Sequence, residues 1–142
     1  MLLSKEEIPL VAMESMNATH MEDVEIINAL FALLLAYEKE PNLHNEIVIN
    51  AKYVEWLKHT VAHFNGENEM MQERGFGPYQ FHKAEHDNAL ALMDITFKAW
   101  SKSKDIAAFK HYFQEVLPQW LTQHINSMDR VTALFLTGGI SP

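Results

Sequence analysis

Apolar residues in this chain recur every three to four positions over long stretches, the period of an α-helix rather than of a strand. On the second such stretch Trp56, His63, Glu67 and Met70 share a stripe. On the third, Tyr79, His82, His86, Leu90, Met93 and Phe97 do, and on the fourth Leu117, Leu121, His124, Met128 and Phe135. The five glycines and five prolines gather where helices would have to stop. A first helix is expected to open near Asn17 or Thr19, either of which could cap it. Glu22 and Asp23 would then lie in its first turn, where the positive helix end favours acids. It should end near Glu40, before Pro41-Asn42. A second helix is expected over Leu43–Glu73, closed by Gly75-Phe76-Gly77-Pro78, and a third from about Pro78 to Lys102. A last helical region, about Asp105–Leu136, contains Pro118, whose missing N–H should kink or divide it. Gly138-Gly139 should stop it. Residues 1 to about 17 read as a loose N-terminal arm. The pattern predicts one all-α domain over residues 1–142, an antiparallel up-down-up-down four-helix bundle.

The inward stripes carry groups that do not belong in an apolar core. In chain order they are His20, then His63 with Glu67, His82 with His86, and His124 with Asp129. The first two pairs are spaced i, i+4, so each pair shares one helix face. One buried histidine is ordinarily a core residue satisfied by a single hydrogen bond. Five imidazoles and two carboxylates together would cost several kcal/mol each if buried unpaired. They are enough to hold two metal ions, with the carboxylates as bridges. With no thiolate among them, the set suits iron, manganese or zinc. His124 and Asp129 are five apart, about 140° around an ideal α-helix, so they would flank the bundle axis unless a π-turn intervenes.

Bulk properties narrow the classes. Cysteine is absent, which excludes disulfides and Fe–S clusters and suits a reducing cytoplasm, the expected compartment. The formal charge of −8 repels phosphate backbones and argues against nucleic acid as a partner. The longest apolar stretch, around Ile26–Ala36, is too short to cross a bilayer. No cationic leader with a small-residue cleavage site is visible. The Glu-x-x-His pairs of ferritin-like diiron proteins and the His-Glu-x-x-His of zinc proteases do not occur.

The strings THMEDVEIIN, HFNGE, FHKAEH and WLTQHINSMD resemble the hemerythrin family. Its pattern is a lone histidine on the first helix, H-x3-E on the second, H-x3-H on the third and H-x4-D on the fourth. The resemblance runs from about Met16 to Phe135 and fills all seven positions in order. It implies two iron ions cycling between Fe2+ and Fe3+ and joined by an oxo or hydroxo bridge. His82, His86 and His124 would hold one ion, His20 and His63 the other, and Glu67 and Asp129 both. It further implies reversible binding of dioxygen at the second ion, for carriage, storage or delivery, in a binding protein and not an enzyme. Phe64, Trp120, Leu121 and Ile125 match the family's apolar oxygen pocket. The alternative is an oxygen or redox sensor, or a diiron redox enzyme acting on peroxide or nitric oxide.

Some positions depart from the family's usual pattern. Asp23, three residues after His20, stands where an apolar residue is usual. It would be a proton source or water anchor in the pocket or, with the helix slightly rotated, a first-turn acid. Asn68 stands where a second glutamate often follows the bridging one, and Asn17 where an aspartate is common. His59, one turn before His63, is expected beside the ligands or at the pocket edge. His44 and His111 are expected in solvent.

Overall fold

The computed structural model describes residues 2–138. Helix α1 covers Glu14–Lys39, α2 Leu43–Glu73 and α3 Tyr79–Ser103. A fourth arm consists of α4 (Ile106–His111), α5 (Leu117–His124) and α6 (Arg130–Leu136). Two five-residue π-turns, Tyr112–Val116 and Ile125–Asp129, join these segments. Direction follows from side-chain pairings. Trp56 of α2 donates to Asp23 of α1 while His59 reaches Glu22, so α2 returns along α1. Tyr53 donates to the Met93 carbonyl and Trp100 to Asn50, so α3 runs back along α2. Lys110 pairs with Glu38, and Asp129 meets His20, so the fourth arm is antiparallel to α1. The result is an all-helical up-down-up-down bundle. Among the described residues no helix is long and apolar enough to cross a membrane.

Local chemistry sets the boundaries. The Asn42 side chain accepts from the Asn45 N–H at 2.8 Å and opens α2 at Leu43, as the pattern predicts. Gly75, at φ +67, closes that helix, with the Phe76 N–H donating to the Met71 carbonyl. The Asp105 side chain accepts from the Ala108 N–H and restarts the chain as α4. Pro118 lies in the first turn of α5, directly after the first π-turn, so the missing N–H falls where the register has already changed. Gly138 follows α6 at φ +82, and Gly139 lies outside the described residues.

The start of α1 differs from the expectation. It begins at Glu14, with Met13 at the cap position and no side-chain cap. Asn17 does not cap because its amide is engaged elsewhere, accepting from the Val11 N–H and donating to the Val11 carbonyl, both at 2.9 Å. Asn28 holds the backbone of Leu3 in the same two-sided way. The N-terminal arm has one short 3-10 turn, Lys5–Glu7, and is fastened by these asparagines with Leu3 and Ile8 buried in the core. With the helix starting earlier, Glu22 and Asp23 fall in its third turn, and the first-turn reading of Asp23 is overturned.

The core has two parts. An aromatic-rich cluster around Tyr53, Trp56, Trp100, Phe109 and Phe113 fills most of the bundle. A smaller plug of Met16, Met71, Phe76, Ala133, Phe135 and Leu136 closes the other end. The seven polar residues of the stripes lie on each arm between these two clusters.

Candidate metal centre

All four arms contribute to one buried group. The donor atoms of Glu67, His82, His86, His124 and Asp129 lie within 4.8 Å of one another, and those of His20, His63 and Glu67 form a second set within the same limit. All seven are buried except His63, which is half-buried. The i, i+4 spacings place His63 with Glu67 and His82 with His86. His124 and Asp129 need more. The second π-turn spans Ile125–Asp129 and stacks position i+5 over position i, bringing Asp129 Oδ1 to 3.1 Å from His124 Nε2.

The two carboxylates face both ways. Glu67 Oε2 lies 2.7 Å from His63 Nε2, while its Oε1 lies 3.2 Å from His86 Nε2 and 3.6 Å from His82 Nε2. Asp129 Oδ2 lies 3.0 Å from His20 Nε2, while its Oδ1 lies 3.1 Å from the Nε2 atoms of both His82 and His124. Each carboxylate thus offers one oxygen to the pair His20 and His63, and the other to the trio His82, His86 and His124.

The outer ring nitrogens of the trio are held from behind. His86 Nδ1 meets Asn68 Oδ1 at 3.0 Å, and His124 Nδ1 meets Glu85 Oε1 at 2.7 Å. These oxygens only accept, so Nδ1 carries a proton and Nε2 is the nitrogen left to ligate when the ring is neutral. His82 Nδ1 lies 2.7 Å from Thr132 Oγ1. Such partners fix the orientation of metal-binding imidazoles. The chain pattern flagged Asn68 only as a departure and missed Glu85 and Thr132. Each acts across an arm boundary, on a histidine 39 or 50 residues away, and sequence spacing carries no signal for that.

Charge in the group is strongly perturbed. Burial pushes the Glu67 carboxyl up, but the imidazoles of His63 and His86 outweigh it and hold it down to about 2. Asp129 is held well below its ordinary value against burial by His124, His20 and His82. Burial pushes His63 and His124 down, yet Glu67 raises the first and Asp129 the second above the usual imidazole range. His86 falls below it through burial, reinforced by His82 and His124.

The donors fit a metal and do not satisfy one another. Glu67 Oε1, Asp129 Oδ1 and His86 Nε2 are buried without a hydrogen-bond partner. His82 Nε2 and His124 Nε2 face each other at 3.2 Å. Inward lone pairs and unpartnered carboxylate oxygens at such distances call for cations among them.

A cavity of about 160 Å³ opens beside His20 and His63. Phe64, Trp120 and Leu121 line it. Phe64 stacks on His86 with centroids 3.9 Å apart, and Trp120 stacks on His124 at 4.5 Å. Ile125 is fully buried in the large core cluster and is not among the wall residues. Asp23 is on the wall, with its Oδ1 accepting from Trp56 Nε1–H at 3.0 Å. His59 lies outside the donor group, between Glu22 and Asp23. His44 and His111 are exposed.

The chain is similar to proteins of known name. A bacteriohemerythrin of Aquifex aeolicus (strain VF5) is 27% identical over 135 residues, 94% of this chain and 96% of that protein. A bacteriohemerythrin of Ralstonia nicotianae is 37% identical over 82 residues, 57% of this chain and 58% of that one. A hemerythrin of Sipunculus nudus is 37% identical over 70 residues, 49% and 51% of the two chains. No family model matches the chain, and no solved structure does.

Proposed function

We propose that this chain, which belongs to the hemerythrin family, binds dioxygen reversibly at a pair of iron ions, for oxygen carriage, storage or delivery. The observation that supports this most is the two-faced placement of the carboxylates, each with one oxygen toward either set of histidines. His82, His86 and His124 would hold one ion and His20 and His63 the other. Glu67 and Asp129 would span both, beside an oxo or hydroxo bridge from solvent. When bound, the iron pair supplies two electrons to dioxygen and takes them back on release.

The protein's own groups do the rest. Asn68, Glu85 and Thr132 keep three imidazoles aimed and neutral at Nε2. The carboxylates stay ionised and offset the repulsion of two cations. Phe64, Trp120 and Leu121 keep one side of the cavity apolar, which favours a small apolar gas and disfavours water. The two-histidine set offers fewer donors and borders the cavity, so a small molecule would reach an ion held there from that side.

Metal analysis and visible spectroscopy test this reading. Two irons per chain are expected, with an absorption band that appears when the reduced protein meets dioxygen and vanishes when the gas is removed. One zinc per chain, or a band that decays without returning dioxygen, would overturn it.

A further inference from the structure

The metal centre borders a second opening. A cleft of about 250 Å³ lies between α1 and α2. Ser15 and Thr19 form one wall and Ala62 and Gly66 the other, while Met16, His63 and Glu67 line its more buried end. The apolar cavity touches Asp23 and Thr60, the cleft Ser15 and Gly66. The two therefore lie in opposite directions along the α1–α2 interface from His63, which borders both.

Gly66 keeps the cleft open. It lies in the interior of α2, where glycine weakens a helix relative to alanine. Its backbone is helical, and a β-carbon there would come within 4 Å of nothing across the cleft. Neither a turn nor a close helix approach requires this glycine. What its missing side chain leaves is space beside His63 and Glu67.

Polar groups mark a route through that space. The Thr19 hydroxyl donates to the Ser15 carbonyl at 2.9 Å, and its lone pairs stay free to accept. Glu67 is 2% exposed, yet it lines the cleft, and its Oε1 has no hydrogen-bond partner. Its Oε2 lies 2.7 Å from His63 Nε2, while Oε1 lies 3.2 Å from His86 Nε2. One carboxylate thus leads from the cleft to both sets of histidines. The His63 side chain is 11% exposed, against at most 3% for the other four histidines of the group. The cavity offers a hydrated cation a poorer path. Past Phe64, Trp120 and Leu121 it would lose water and gain no oxygen ligand from those side chains.

We propose that the cleft at Gly66 is the port by which divalent cations enter the centre, distinct from the apolar cavity. The inference rests on the reading of the seven residues as a metal centre, and it needs no step of dioxygen chemistry.

The test follows uptake of cobalt(II) by the metal-free full chain in stopped flow, with air excluded. The readout is the change in visible absorption as imidazole and carboxylate replace water on the ion. Gly66→Leu fills the cleft from α2 and Ser15→Phe fills it from α1. Both should slow uptake by about tenfold or more and leave the final cobalt content unchanged. Leu92→Trp, on the exposed rim of the apolar cavity, should leave the uptake rate as it was. If Gly66→Leu lowers the final content, it has disturbed Glu67, and Ser15→Phe decides. Unslowed uptake in either cleft variant that keeps its full cobalt content would overturn the port. Equal slowing by all three variants would overturn it too. The dioxygen band of the iron-loaded chain separates this inference from the function proposed above. A chain that loads cobalt through the cleft but never forms that band reversibly would overturn the function and leave the port standing. A reversible band, with uptake indifferent to the cleft variants, would overturn the port alone.

Discussion

The two halves of the metal centre are built differently. On the three-histidine side, His82, His86 and His124 are at most 3% exposed, and each has a partner on its outer nitrogen. On the two-histidine side, His20 Nδ1 is buried with no partner, and His63 is half-buried at the edge of the cavity. One half is over-determined by side chains from α2, α3 and the fourth arm. The other has fewer donors, less bracing and empty space beside it. A centre that must hold two ions and still admit a small molecule needs this asymmetry: rigidity where nothing exchanges, and room where something does.

The strongest way to break the comparison is to remove what the halves share. Glu67→Ala or Asp129→Ala should cost both ions, because each carboxylate faces both sets of histidines. Iron analysis showing one ion retained would mean that the halves are independent. Removing the braces should separate the halves. Thr132→Val or Asn68→Leu should weaken metal at the three-histidine side by about 10–100-fold while leaving the other side nearly unchanged. A metal titration that loses both steps equally would contradict the bracing argument. A test on the open side is Leu121→Asp, which places a charge on the cavity wall. Iron should stay bound, but the dioxygen complex should decay about tenfold faster, a change of about 1.4 kcal/mol in barrier. An unchanged decay would reduce Leu121 to packing.

A smaller effect concerns pH. In the metal-free chain His63 and His124 lie above their ordinary value in the folded state. Their contribution to stability is present below the unfolded value and is lost as pH rises through the raised ones. His86, which lies below its ordinary value, works the other way. Glu67 and Asp129 stay ionised through this range and add no slope. The melting temperature of the metal-free chain should therefore fall as pH rises through neutrality. With iron bound, the rings must be neutral to ligate, and the trend should reverse. Like-signed slopes in the two forms would contradict the charge assignment. At the bottom of the scale, His44→Ala and His111→Ala should leave iron content and colour unchanged, since both residues are exposed and belong to neither donor set.

Helical period, the positions of Pro41 and Gly75, and the i, i+4 spacing of His63 with Glu67 and His82 with His86 determined the helical character, two of the three connections between arms and most of the donor set. These features are local: a helix face or a helix stop depends on residues within one or two turns. Most of the interactions that only tertiary structure decided cross from one segment of the chain to another. Asn17 fastens the arm instead of capping α1, which moves the helix start and carries Asp23 into the third turn. The second π-turn aligns His124 with Asp129, a register that five-residue spacing permits but does not impose. Glu85 and Thr132 brace histidines on other arms, and His59 joins Glu22 to Asp23 across the α1–α2 interface. Local spacing determines which side chains a helix presents. Which neighbour meets them depends on the rotation of each helix about its axis, and packing of the whole core sets that rotation.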